Sequence, residues 1–536
     1  MDQRAYLFDP RLNADRGVLR GYTLPDVIDR TVRNHGASLA VIDGDVRLSW
    51  SQLADRAEAL AAGLQDRGIG QGDVVGLHLA NGWEFILAVV ALAQLGAVAL
   101  ALHPPYRTRE LQQLIEWTQA VAIIAPASAL TKVREVAAQQ PSLATLVITG
   151  DAAGIDPGGP PALSFAALAS TDAGRVPRAA ITPEDPLSLN PTSGTESLRP
   201  KICMHSHDGL LSNSMDLAVR ARLTKTDRVL CTGGYTHLFG MASLQMALHV
   251  GATVVCLPQF SPAVWLDLCE RESVTRAWTV PAHLADIIEE QRLRPRKLAL
   301  TELRTGGVAI EPGFAATVRA VLCNNFVIQW GTSEIGGGAT TLAQDVFSSP
   351  TIGTPIENAA VRIVDENGDA CSAGVAGEIW YRRADSFRGY LRDPETTAAA
   401  VTRDGWVRTG DIAVREADGS LAFRGRTKDI INRGGLKISA FEVESLLAQL
   451  RPLRQIAVVA TPDPRLGERA TLVCSLHAGH TLELHDVTRH LDGLGAAKYK
   501  WPEALIVLDE LPTTATGKVA KAAVRAFLAA PAEAAR

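Results

Sequence analysis

Val74-Val75-Gly76-Leu77-His78, then Trp83-Glu84-Phe85-Ile86-Leu87-Ala88-Val89-Val90-Ala91-Leu92-Ala93-Gln94-Leu95, then Ala97-Val98-Ala99-Leu100-Ala101: these three runs decide the architecture of this 536-residue chain. The outer runs are short and apolar, as buried strands are, while the middle run is too long for an ordinary strand and reads as a helix. A strand, helix, strand order argues a parallel sheet with helices on its faces. Upstream, residues 50–64 carry an amphipathic helical pattern with Ser51 as the expected N-cap. Downstream, residues 121–124, 146–148, 228–232, 253–257 and 277–280 read as further strands, interleaved with helices such as 210–220. Residues 85–102 are near the lower length limit for a membrane span, but Gln94 and Gly96 interrupt them and a buried helix accounts for them. Residues 151–163, rich in Gly and Pro, read as an exposed loop, and the Ala-rich tail after Phe527 as a fraying end.

The pattern changes late in the chain. Residues 361–423 show short, turn-separated β segments, and beyond about 425 a helix at 441–450 and strands at 456–460 and 471–476 suggest a small α+β unit. The expected fold is therefore α/β: a large N-terminal part over 1–424 with parallel sheets and a β-rich segment, and a small C-terminal part over 425–536. A chain of this length exceeds one hydrophobic core.

Composition narrows the function classes. A net charge of -5 offers no electrostatic footprint for nucleic acid or an anionic membrane, and 47% hydrophobic with 21% charged residues is ordinary for a globular protein. The seven cysteines are scattered without C-x-x-C spacing, which points to reduced thiols in the cytoplasm. No signal peptide is legible at Met1.

The chemistry begins at Thr192-Ser193-Gly194-Thr195-Glu196-Ser197-Leu198-Arg199-Pro200-Lys201. Backbone N–H groups freed by Gly194, the hydroxyls of Thr192, Ser193 and Thr195, and the cations Arg199 and Lys201 suit a polyphosphate. No Gly-Lys-Ser/Thr triplet follows, so the loop is not that of the common phosphate-transferring NTPases. Four more segments follow in order: Gln329-Trp330-Gly331-Thr332-Ser333-Glu334, Gly405-Trp406-Val407-Arg408-Thr409-Gly410-Asp411, Gly425-Arg426-Thr427-Lys428-Asp429 and Pro512-Thr513-Thr514-Ala515-Thr516-Gly517-Lys518. The ordered set resembles the adenylate-forming superfamily, from about Tyr22 to Arg525, and is far more specific than any one member of it.

That resemblance implies a set of roles. The loop 192–201 would hold the β- and γ-phosphates, with Thr195 and Glu334 helping to coordinate Mg²⁺. Gly307, Val308 and Ala309 with Gln329, Trp330, Gly331 and Thr332 would flank the adenine of ATP or of an acyl-adenylate. Asp411 would bind the ribose hydroxyls, Arg426 ribose or phosphate, and Lys518 would bridge the carboxylate and α-phosphate. The C-terminal part would be a mobile lid turning about Lys428. Arg433, Gly434, Gly435 and Lys437 resemble the lid segment passed by the pantetheine arm of coenzyme A. His237 resembles the residue that guards the carboxylate site, and Tyr235, Leu238, Phe239, Met241, Gly306, Trp330 and Gly331 are expected to line the acid pocket with it.

The segments 205–213 and 389–396 look more like the fatty, alicyclic and aryl acid CoA ligases than the amino-acid-activating modules. No acidic residue stands at Gly234 or Tyr235 to pair an amino group, so the acid is expected to be apolar. A free-standing, cytoplasmic acyl-CoA ligase is the leading expectation, with a homodimer as its candidate assembly and no membrane span. The loop departs from the superfamily's usual Thr-Ser-Gly-Thr-Thr-Gly-x-Pro-Lys-Gly: Glu196 and Ser197 replace Thr and Gly, one residue is added at Leu198-Arg199, and Ile202 stands where Gly follows Lys. These changes should weaken a triphosphate cradle. Two alternatives follow: an enzyme that performs only thioesterification on an acyl-adenylate made by a separate adenylating partner, and a non-catalytic acyl-AMP or acyl-CoA binding protein.

Overall fold

The structure is a computed structural model describing residues 19–150, 162–170, 179–192, 201–342, 345, 349–514 and 518–529. Val74–Leu77 and Val98–Ala101 pair in parallel, joined by the helix Trp83–Leu95. Every residue of that helix from Phe85 onward is buried, because helices Leu24–His35 and Trp50–Gln65 cover it. The cap of Trp50–Gln65 lies two residues earlier than expected. Ser49 Oγ accepts from Gln52 N at 3.2 Å and Gln52 Oε1 accepts from Ser49 N at 2.9 Å, a reciprocal box that Ser51, already inside the helix, does not make.

Two sheets organise the N-terminal part. One has seven strands in the order Ala162–Ser164, Thr145–Thr149, Ala122–Pro126, Val74–Leu77, Val98–Ala101, Pro186–Pro191 and Ile202–Ser206, all parallel but the last. The edge strand Ala162–Ser164 corrects the loop expected at 151–163, whose remaining residues lie outside those described. The other sheet has thirteen strands. At its centre Phe326–Thr332, Glu302–Gly306, Arg276–Trp278, Arg228–Cys231, Thr253–Val255 and Leu39–Asp43 run parallel, and the antiparallel segments between Thr351–Pro355 and Leu421–Arg426 extend one end. One core cluster joins the sheets, running from Val75 and Leu77 to Val229 and Val254.

From Ile430 on, the chain builds a separate sheet in which Ile430–Arg433, Leu436–Ser439, Leu453–Asp463, Gly467–Leu476 and Ala504–Val507 participate. Its own core gathers Ile431, Val443, Leu447, Val458, Leu472, Val487 and Leu491. The helix expected at 441–450 spans Ala440–Leu447, with Ser439 as its cap. Among the described residues no helix is long and apolar enough to cross a membrane.

Candidate active site

The site forms where parallel strands end. In open α/β sheets the crevice beyond the carboxyl ends of the strands is where ligands bind. Here the loop 232–237 follows Arg228–Cys231, Gly307 follows Glu302–Gly306, and Gln329 to Thr332 close the strand Phe326–Thr332. Gly307 turns the chain at a φ of +87°, and Gly307 and Val308 are exposed to the crevice. Gly331 lies so close to Gly336 that a Cβ would stand 1.9 Å from the Gly336 carbonyl oxygen, so this turn admits only glycine.

Lys518 arrives from the C-terminal unit. A Cβ built on Gly307 would lie 2.9 Å from Lys518 Nζ, so the ammonium occupies the space that this glycine leaves open. Burial, and secondarily the Arg426 guanidinium, hold the lysine down to about 8, while Asp411 opposes the shift. Asp411 is buried and held from both sides. Its Oδ2 accepts from Trp330 Nε1 at 2.8 Å and its Oδ1 from Arg426 Nε at 3.0 Å. A carboxylate offers about four lone-pair sites, so two bonds leave capacity for ribose hydroxyls.

His237 caps the helix Leu238–Val250 by position, and burial first, then the neighbouring His103 and the Lys518 ammonium, push its imidazole down to about 3. It is therefore neutral across physiological pH. The loop before it is clamped by Asn81, whose Nδ2 donates to the Cys231 and Gly233 carbonyls at 3.0 and 2.8 Å while its Oδ1 accepts from Tyr235 N at 2.7 Å. The ring of Phe239 covers Gly306, with 3.3 Å to a Cβ built there.

Glu334 accepts at Oε1 from the Tyr390 hydroxyl, 2.7 Å away, and burial together with this carboxylate raises the phenol far above its ordinary range. Lys201 Nζ lies 5.8 Å from the centre of the Tyr390 ring. Thr192 N donates to the Lys201 carbonyl at 2.8 Å, closing the base of the loop whose members Ser193, Gly194 and Thr195 lie outside the described residues. On the C-terminal unit, Arg433 pairs with Glu503 at 2.6 Å, Gly434 and Gly435 take φ of +57° and +88°, and Lys437 pairs with Glu366 of the N-terminal part.

Comparison with known proteins agrees with this geometry. An AMP-binding enzyme model matches residues 28–391, and an AMP-binding enzyme C-terminal domain model matches residues 442–518. The chain belongs to the AMP-binding enzymes, the adenylate-forming superfamily. It is 33% identical to a salicylyl-CoA synthase / salicylate adenylyltransferase of a Streptomyces species, covering 98% of each chain. It is also 33% identical to the 2-hydroxy-7-methoxy-5-methyl-1-naphthoate–CoA ligase of Streptomyces carzinostaticus, covering 95% of this chain and 94% of that one. The fold matches the anthranilate CoA ligase AuaEII in complex with anthranoyl-AMP at a TM-score of 0.87, with 23% identity over 95% of this chain and 97% of the other.

Several residues of this AMP-binding enzyme face elsewhere than expected. Tyr235 and Met241 are core side chains, 1% and 3% exposed, with Tyr235 packed on Phe85 at 5.6 Å between ring centres. The Trp330 ring is likewise buried and contributes to the site through its bond to Asp411, and Gln329 Oε1 accepts from Arg304 at 2.9 Å, so both present backbone to the crevice. Ile202 corrects a larger expectation. Its side chain is fully buried in the core with Leu189 and Leu391, because residue 202 opens the strand that pairs with Pro186–Pro191 and its face points inward. Its branched side chain belongs to the core, while residues 193–200 of the loop lie outside the described residues. Three residues, Asn81, His103 and Tyr390, and the Trp330–Asp411 pairing were missed from sequence. His103 carried a usable signal, since it lies two residues past an expected parallel strand.

Proposed function

We propose that this AMP-binding enzyme is an ATP-dependent ligase joining an aromatic carboxylic acid to coenzyme A. The acid carboxylate attacks the α-phosphorus of ATP, pyrophosphate leaves, and the CoA thiol then takes the acyl group from the adenylate and releases AMP. The observation that carries this reading is the seating of Lys518 on Gly307, near enough to Asp411, Arg426 and His237 to share their electrostatics. Attack of one anion on another needs a fixed cation between them, and a half-desolvated ammonium supplies far more there than in water. Asp411, already oriented by Trp330 and Arg426, accepts the ribose hydroxyls without reorganisation. Phe239 over Gly306, with the neutral His237 two residues before it, offers an uncharged aromatic surface suited to an aryl ring, and the salicylate and naphthoate enzymes among the relatives support that class.

Mg²⁺ fits as a partner of the nucleotide. It binds through one or two carboxylates plus phosphates, and Glu334 has one oxygen committed to Tyr390 and another that accepts no hydrogen bond among the described residues. Bound there, the ion would neutralise phosphate charge. The lid, from about Gly425, is read as a moving body that withdraws Lys518 and brings Arg433 to Lys437 to the pantetheine arm.

Exchange of labelled pyrophosphate into ATP tests the reading, with benzoate, 2-hydroxybenzoate, 2-aminobenzoate and naphthoates as acids. Exchange with at least one, coupled to CoA-dependent AMP release, is expected. No exchange with any acid, alongside CoA consumption from synthetic aryl-adenylates, would replace it with thioesterification alone.

A further inference from the structure

His103 stands outside every motif and yet touches the centre of the site. It lies just past Val98–Ala101, at the carboxyl end of a strand beside the point where the seven-stranded sheet reverses its order: Val74–Leu77 has its successor on one side and Ala122–Pro126 on the other. The turn that carries it is braced. Tyr106 N donates to the His103 carbonyl at 3.0 Å, Pro104 and Pro105 stiffen the chain, and Lys132 Nζ donates to the Tyr106 carbonyl at 2.7 Å and to His78 Nε2 at 2.9 Å.

The ring itself is held from three directions. His103 Nδ1 and Thr236 Oγ1 are hydrogen-bonded at 2.8 Å, the Tyr106 ring meets it edge-on at 5.0 Å, and the His237 ring lies over it at 4.9 Å with 17° between planes. Its Nε2 is buried and has no hydrogen-bond partner among the described residues. Thr236 and His237 are adjacent, so one imidazole grips the loop by its hydroxyl and by its ring at once. A half-exposed imidazole would otherwise change rotamer in nanoseconds or less. Lys518, the other neighbour that shifts His237, belongs to the lid.

Resting on the ligase reading, we propose that His103 is a positioning residue for the adenylation half-reaction: its stacked ring fixes His237 at the carboxylate site while Lys518 is seated. The requirement is for a flat ring at 103, and it ends when the adenylate has formed. The nucleotide contacts at Asp411 and Arg426 do not depend on it.

Four proteins test this: the unmodified enzyme, His103→Ala, His103→Phe and Thr236→Val. Each is assayed for pyrophosphate exchange and, separately, for CoA consumption from a synthetic aryl-adenylate. His103→Ala should lose at least tenfold in kcat for exchange, with KM for ATP and the adenylate-to-thioester rate within about twofold of unmodified enzyme. His103→Phe, which keeps the ring, should recover exchange to within about threefold. Thr236→Val, which removes only the grip on Nδ1, should show the same bias at smaller amplitude and serves if the alanine variant does not fold. Equal loss in both half-reactions, equal loss in Phe and Ala, or full exchange in His103→Ala each overturn the proposal. Exchange that ignores residue 103 removes this inference alone, whereas an unmodified enzyme that exchanges with no aryl acid removes the ligase reading and this inference with it.

Discussion

Lys518 is charged at a cost, and that cost sets a pH dependence. Its folded value of about 8 lies below the ordinary lysine range, so the cation is present below that pH and is lost as pH rises through it. The rate constant kcat/KM reports the free enzyme, so for pyrophosphate exchange it should fall above pH 8 with a slope governed by one group. Lys518→Arg, if active, should hold its rate to higher pH, while Lys518→Ala should lose exchange by at least 10²-fold and keep thioester formation from supplied adenylate. A profile flat to pH 10 would remove Lys518 from the rate. At this scale residue identity was legible in sequence and side-chain direction was not. Nothing in Tyr235-Thr236-His237 says which ring enters the core, because an irregular loop has no period to alternate by, and Ile202 could be assigned a face only once its strand partner was known.

Between elements, a buried ionic network carries the glycine-rich strand beside the site. Asn213, on the helix His207–Arg220, clamps Gly337 by accepting from its N–H and donating to its carbonyl, both at 3.0 Å, and Nδ2 also donates to Asp385 at 3.1 Å. Arg383 pairs with Asp385 at 2.6 Å and with Asp216, which also binds Arg20 at 2.5 Å. Replacing Arg383 with Met would leave Asp385 buried with no ionic partner and Asp216 with Arg20 alone, and a loss of about 3–5 kcal/mol in denaturant unfolding is expected. The pH trend has a definite sign. Burial lifts Asp385 to about 6 in the folded state, above its unfolded value, so its contribution is present at low pH and lost as pH rises through about 6. The variant should therefore be weakened more at pH 8 than at pH 5, and an equal loss at both would place the effect elsewhere. Helices and strands marked by a clear apolar run were legible to within a few residues, as the length of Trp83–Leu95 shows, whereas the network was not: its members sit far apart in sequence and no local pattern joins Asp216 to Arg383.

Across the whole molecule, the C-terminal unit touches the N-terminal part at a few places. Ser439 Oγ donates to the Arg424 carbonyl at 2.8 Å, Phe441 meets Phe423 at 5.0 Å between ring centres, Lys437 pairs with Glu366, and Lys518 sits on Gly307. The composition change near residue 425 announced a second unit, but nothing in the sequence could say how it docks. Lys428 lies in the short turn Thr427–Asp429, whose backbone a proline can adopt. Lys428→Pro should keep pyrophosphate exchange within about threefold and lower overall CoA ligation by at least tenfold, by freezing the proposed rotation. Comparable losses in both would argue against a turning lid. The docking of Lys518 has one more consequence. Its ammonium is a counter-ion on a tether, delivered to the crevice at the roughly millimolar effective concentration that a short linker provides. A resident cation could be silenced only by titration or by a bound anion; under the proposed rotation a tethered one would be withdrawn whole, and the same crevice would be electropositive for one anion's attack and neutral for a thiol's, at constant pH.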